Sequence, residues 1–169
     1  MKKFILPGLV LSLCLNVISA QASFLSYGTP CPSTQGKLQI SGLPKLGMSF
    51  TVNGIRFPGM CTRKFCTCAC CDCNACRGSL LVFGAARMKL RIPGSSCDLL
   101  ASPDVVLMGA MSGAIVVPVP NNTVLLGGRF AMQRLDLSLQ EVRGTQCQTS
   151  YRLLGVLGTS DGVEGVIGR

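Results

Sequence analysis

From Cys61 to Cys76 the chain reads C-T-R-K-F-C-T-C-A-C-C-D-C-N-A-C, which places seven of its eleven cysteines within sixteen residues. A segment with so few apolar side chains cannot order itself by burial, so sulfur chemistry has to do it. Three kinds are open: a disulfide knot, a thiolate metal cluster, or a redox site. Adjacent Cα atoms lie about 3.8 Å apart, short of the roughly 4.4 to 6.8 Å that a disulfide spans, so Cys70 and Cys71 are expected to bond elsewhere. The Cys66-x-Cys68-x-Cys70 spacing is awkward for direct closure, whereas Cys73-Asn74-Ala75-Cys76 can form a small ring. Cys31, Cys97 and Cys147 are further partners outside the stretch.

The N-terminus bears on that choice. Lys2 and Lys3 precede an apolar run from Ile5 to Ile18, and Ala20-Gln21-Ala22 offers a small-residue cleavage site, so residues 1–22 read as a secretory signal peptide. Pro7, Gly8 and Asn16 break the run, which is also short for a membrane span. Leu13 before Cys14 argues against a lipidated cysteine. Cleavage removes Cys14 and leaves ten cysteines, an even number that favours complete pairing in an exported chain. Loss of Lys2 and Lys3 leaves fourteen cations against seven acids, a net charge of +7. The expected location is outside the cytoplasm, secreted, periplasmic or at the cell surface. The charge suits anionic envelope or extracellular polymers. The chain has no His and no Trp, which excludes Ser-His-Asp and Cys-His catalysis and every His-containing zinc site.

From Lys37 onward short apolar segments alternate with Gly, Pro, Asn and Ser at the spacing of an all-β sandwich or barrel, and no stretch holds a 3.6-residue apolar period. The expectation is an all-β fold: a single antiparallel β-sandwich over 23–157, with the Cys-rich insertion 61–76 as a loop between two strands. Leu38 and Ile40, then Met48, Phe50 and Val52, alternate on either side of Gly42-Leu43-Pro44 and predict a first hairpin. Ser79 to Phe83 resumes the strand pattern. Arg87, Lys89 and Arg91 interleave with Met88, Leu90 and Ile92, predicting a strand with cations on one face and apolar groups on the other. Val105 to Met108 and Ile115 to Val119 are short strands, the latter ended by Pro118 and Pro120. Asn121-Asn122 marks a turn. Val124 to Leu137 is the longest strand candidate, with a bulge or bend expected at Gly127-Gly128. Ser150 to Leu157 is read as the last strand, and the Gly-rich 158–169 as a flexible tail.

Tyr27-Gly28-Thr29-Pro30-Cys31-Pro32, Cys97-Asp98-Leu99-Leu100-Ala101-Ser102-Pro103-Asp104, Val119-Pro120-Asn121-Asn122, Leu125-Leu126-Gly127 and Phe130-Ala131-Met132-Gln133 follow one another in order. Over residues 27 to 157 this set resembles the secreted β-sandwich module abundant in exported proteins of planctomycete-type bacteria. The resemblance implies a sandwich without assigned enzymatic activity and a disulfide between Cys31 and Cys97. With those two joined, Cys147 and the seven cysteines of the stretch make eight, so Cys147 is expected to pair into the stretch. Two departures stand out. The module has a short Gly/Pro turn where this chain carries Cys61 to Cys76, and a Ser-Asn-Gly turn where this chain has Thr149-Ser150-Tyr151.

The function expected is a non-enzymatic, secreted or cell-surface structural or adhesive module held by disulfides among Cys31, Cys97, Cys147, Cys61, Cys66, Cys68, Cys70, Cys71, Cys73 and Cys76, without a cofactor. The alternative is metallothionein-like capture of zinc or copper by Cys61, Cys66, Cys68, Cys70, Cys71, Cys73 and Cys76, whose Cys-x-Cys and Cys-Cys steps suit bridging thiolates. A redox role for Cys73 and Cys76 rests on Cys-x-x-Cys beside Arg77, without the βαβ context such sites have. Arg63, Lys64, Arg77, Arg87, Lys89 and Arg91 form a possible polyanion face, against the plainer use of such charge to protect a strand edge. Two Tyr and seven Phe give no stacking platform, so sequence-specific nucleic-acid binding is not expected and any polyanion contact is charge-led and salt-sensitive. Asp98 and Asp104 are an acidic pair at turn positions, where Asp bonds its own backbone, and no catalytic residue is assigned. Asn121-Asn122-Thr123 matches a glycosylation acceptor but is explained as a turn.

Overall fold

The computed structural model describes residues 20–56, 73–143 and 149–169. The chain is all-β. Ten strands are described: β1 Ser23–Tyr27, β2 Gln39–Ser41, β3 Ser49–Asn53, β4 Cys73–Gly84, β5 Arg87–Arg91, β6 Asp98–Ala101, β7 Val105–Met108, β8 Ala114–Pro118, β9 Arg129–Arg143 and β10 Thr149–Val166. All the strand pairings are antiparallel. A central sheet runs β1-β10-β9-β4-β7, a second runs β2-β3-β8, and β5-β6 is a separate ribbon. Among the described residues no helix is long and apolar enough to cross a membrane.

Alternation decides which strands face each other. Phe50 and Val52 of β3, Leu81 of β4, Phe130 and Met132 of β9 and Val163 of β10 form the main core, which lies between the central and second sheets. Its centre is aromatic. The Phe130 ring stacks on Phe83 at 4.8 Å and on Phe50 at 5.7 Å, and Phe24 meets Phe50 edge-on at 5.2 Å. Rings offset or edge-on in this way add about 0.5 to 1.5 kcal/mol per pair beyond the area they bury. The opposite face of the central sheet is covered by the ribbon, where Val82, Ala101 and Ala131 pack together. Gln133 joins these two layers. Fully buried on β9, its Oε1 accepts from the Leu100 amide, while Nε2 donates to the Asp98 and Ser160 carbonyls. One buried amide thereby satisfies backbone groups that β6 would otherwise leave unpaired.

The expected hairpin is β2–β3, and β8 is an edge strand that ends at Pro118. Three expectations are corrected. Cys73 to Cys76 belong to β4 rather than to a loop, so the strand begins inside the cysteine stretch. Gly127 and Gly128 do not bulge a strand that starts at Val124. Residues Thr123–Leu125 form a 3-10 turn capped by the Asn122 side chain, and β9 starts at Arg129.

The third correction is the largest: residues 158–166 are the second half of β10, between β1 and β9, and not a tail. Their glycines make room for rings. At Gly162 a Cβ would lie 2.5 Å from Tyr27 Cζ, and at Gly165, on the other face, it would overlap the Phe130 ring. Between Thr159 and Gly162 two residues of β10 stand opposite the single Arg134 of β9, a bulge of one residue at which Thr159, Ser160 and Asp161 are buried. Leu38 donates its amide to Asp161 Oδ1, and Ser160 Oγ accepts from the Arg134 amide.

The expected signal peptide through residue 19, residues 61–72 with Cys61, Arg63, Lys64, Cys66, Cys68, Cys70 and Cys71, and Cys147 lie outside the described residues.

Candidate anion-binding site

The face of the central sheet that carries the aromatic core does not stay apolar along its length. On β9 the inward positions run Phe130, Met132, Arg134, Asp136, and on β4 they run Phe83, Leu81, Ser79, Arg77. The change falls where the covering sheet stops, since β3 ends at Asn53 and the chain continues through Gly54 and the buried Ile55 to Arg56, whose carbonyl accepts from the Ser79 amide of β4. Beyond that edge lies an open cleft of about 520 Å³, lined by Gln35, Gly54, Arg56, Arg77, Ser79, Arg134 and Asp136 among others. Among the described residues three arginines face one carboxylate there, an excess of two positive charges.

Arg134 is held in place. Its side chain is largely buried, its Nε donates to Asp136 Oδ2 at 3.2 Å, and its Nη2 donates to the Gln35 carbonyl at 2.9 Å. Asp136 also accepts from Ser79 Oγ at 2.6 Å and from the Gln35 side-chain amide. The carboxylate is saturated by donors, which leaves it poorly available for further bonding. Arg56 and Arg77 are exposed, and among the described residues no carboxylate pairs with either.

The expected basic face on β5 is organised differently. Arg87 donates through Nε to Glu164 at 2.6 Å and stacks 4.5 Å over the Tyr27 ring. Arg129 reaches the same glutamate at 3.3 Å. Arg91 pairs with Asp98 at 3.0 Å and donates to the Ser96 carbonyl. Two of the three β5 cations are therefore paired, Arg87 with a carboxylate it shares with Arg129, while Lys89 lies beside a smaller cleft of about 360 Å³ near Cys31 and Asp98. The apolar side of this strand is not well buried either, with Leu90 54% exposed. Burial raises the Tyr27 phenol above its ordinary value of 10.0, the Arg87 charge lowers it and Glu164 raises it again. The protonated phenol donates to the Leu100 carbonyl at 2.6 Å.

Cys31 and Cys97 are joined by a disulfide with a Cα separation of 5.3 Å, within the ordinary range. This is the pairing that the resemblance implies. It fastens the segment after β1 to the start of β6, and Cys31 also exchanges two backbone hydrogen bonds with Thr159. That segment continues to Gln35, so the disulfide anchors one wall of the cleft. Cys76 is buried and disulfide-bonded as well, packed with Leu137 and Leu139. A sulfur in a disulfide is not a thiolate ligand, so Cys76 leaves the set proposed for zinc or copper. Asp104 accepts from the Ala85 amide and from Ser102 Oγ, a turn role, while Asp98 is committed to Arg91.

Of the sequence-predicted cations among the described residues, Arg77 is the one that reaches the larger cleft. Arg56 and Arg134 were not among those expected, although the inward phase of Arg134 and Asp136 after Phe130 and Met132 is visible in the alternation. No family model, curated protein or solved structure matches the chain.

Proposed function

We propose that this protein is an exported, non-enzymatic structural or adhesive module that works by presenting a rigid, basic surface to anionic material outside the cytoplasm. The Cys31–Cys97 disulfide carries the reading. It closes a separation of 66 residues between two segments with few apolar contacts of their own. Such bonds persist in oxidising compartments, and by restricting the unfolded chain one over a loop of this length stabilises by about 4 kcal/mol. The expected cleavage point falls immediately before β1, so removal of 1–22 keeps that strand whole. The resemblance to the exported sandwich module points the same way.

Intact mass and thiol titration of the protein recovered after export test the reading. The expected result is a chain starting near Ser23 with no free thiol, its mass lower than the reduced form by one hydrogen for each of its ten cysteines. Retention of residues 1–22, or six or more free thiols holding zinc or copper, would overturn it in favour of metal capture.

A further inference from the structure

We propose that the cleft of Arg56, Arg77 and Arg134 binds a tetrahedral oxyanion, a phosphate or sulfate group carried as a substituent on an acidic polymer. The proposal deepens the adhesive reading, and rests on it for the claim that the anion belongs to a polymer outside the cell.

The chemistry follows from how each guanidinium is held. Arg134 has Nε committed to Asp136 and Nη2 to the Gln35 carbonyl, which fixes its plane and leaves Nη1 pointing toward Gly54. Gly54 has φ +78°, and a Cβ there would come within 3.0 Å of that nitrogen. Its bare backbone keeps the approach to Nη1 open. Arg56 and Arg77 are exposed on the same cleft and offer whole guanidinium forks. A carboxylate presents two oxygens and is satisfied by one fork, whereas phosphate or sulfate presents three free oxygens when esterified and suits a cleft lined by three guanidiniums.

The lining also says what is not read. Among the described residues no aromatic ring borders the cleft, so none of them offers a base or a sugar ring a surface to stack on. Among these residues it is the charged group that is read. The cleft is open at its mouth, which admits a group still attached to a chain. Placement at the end of the core lets a ligand bind without disturbing the aromatic packing, because the two occupy successive stretches of the same strands.

The test uses the mature protein with its disulfides intact. Inorganic phosphate and inorganic sulfate are titrated while the arginine Nε–H signals are followed by NMR. Shifts confined to Arg56, Arg77 and Arg134 are expected, with affinity at least tenfold weaker in Arg56→Gln/Arg77→Gln and unchanged in Lys89→Gln. Shifts at other arginines instead, or none, overturn the proposal. Retention on sulfated, phosphorylated and carboxylated dextran gels then assigns the source, and either of the first two held more strongly than the third supports it. Retention that is equal in wild type and Arg56→Gln/Arg77→Gln overturns the cleft while leaving the adhesive reading standing. Free anions bound in the cleft with no retention on any gel support the cleft and sink the adhesive reading. Both substituted side chains are exposed, and an unchanged amide spectrum confirms that the double variant is folded.

Discussion

The two ends of one sheet face differ in what they contribute. At one end Phe24, Phe50, Phe83 and Phe130 converge under a second sheet and exclude water. At the other end, on the same face of β4 and β9, Arg77, Arg134 and Asp136 stand beyond the edge of that second sheet. The strands are continuous through both. What changes is the cover, and with it the work of the side chains: the covered end supplies stability, and the uncovered end is free to carry charge that a core would not tolerate. Arg134 sits at the boundary and is paired with Asp136, as a poorly solvated guanidinium needs to be.

The comparison is broken most directly at the covered end. Phe130→Ala removes a ring that touches three others and should cost about 3 to 5 kcal/mol in denaturant unfolding. It should leave phosphate affinity within twofold in the fraction that remains folded. An unfolding cost below about 1 kcal/mol would mean that the aromatic cluster is not the stabilising end.

At the boundary, Asp136→Asn should have opposite effects on the two properties. It strips the counter-charge from Arg134 and weakens the bonds from Ser79 and Gln35, a loss of about 2 kcal/mol. It also removes the one carboxylate that competes with a bound anion, so phosphate affinity should rise several-fold. Calorimetry on one preparation reads both, and a fall in affinity alongside the lost stability would make Asp136 part of the binding surface.

Tyr27, on the opposite face, gives the smallest effect and serves as the control. Its folded pKa is raised by burial, so the protonated phenol is favoured in the native state. The stability this provides is fully present below the unfolded value near 10.0 and is lost as pH rises from there through the folded value. Tyr27→Phe should cost about 1 kcal/mol at neutral pH through the lost bond to Leu100 and should flatten the decline above pH 10. A decline of unchanged steepness in that variant would place the titrating group elsewhere.

Local patterns were readable where a strand borders solvent on one face. Ile40, Phe50 and Val52 alternate cleanly, and the β2–β3 hairpin follows from them. The cleft was less readable, because Arg56, Arg77 and Arg134 are far apart in sequence and meet only when β9 pairs with β4. The free β5 face failed for a related reason: Glu164, which pairs with both Arg87 and Arg129, lies in the Gly-rich segment that composition marked as a tail. Glycine lowers the strand signal, and the rings that occupy those vacancies, Tyr27 and Phe130, come from other strands. Cys97 and Cys31 were paired by likeness to known modules, since ten cysteines do not determine their own partners.

The place of β10 has a consequence for how the chain is made. β1 borders only β10 in the central sheet, with Ser23 opposite Val166 and Tyr27 opposite Gly162. A ribosome synthesises β1 first and β10 last among the described strands, so β1 waits unzipped until β2 to β9 have emerged. Closing that pair encloses the eight described strands between them in one loop, a step that topology makes slow. The central sheet therefore locks from the last of the described strands to be made, whatever order the others form in.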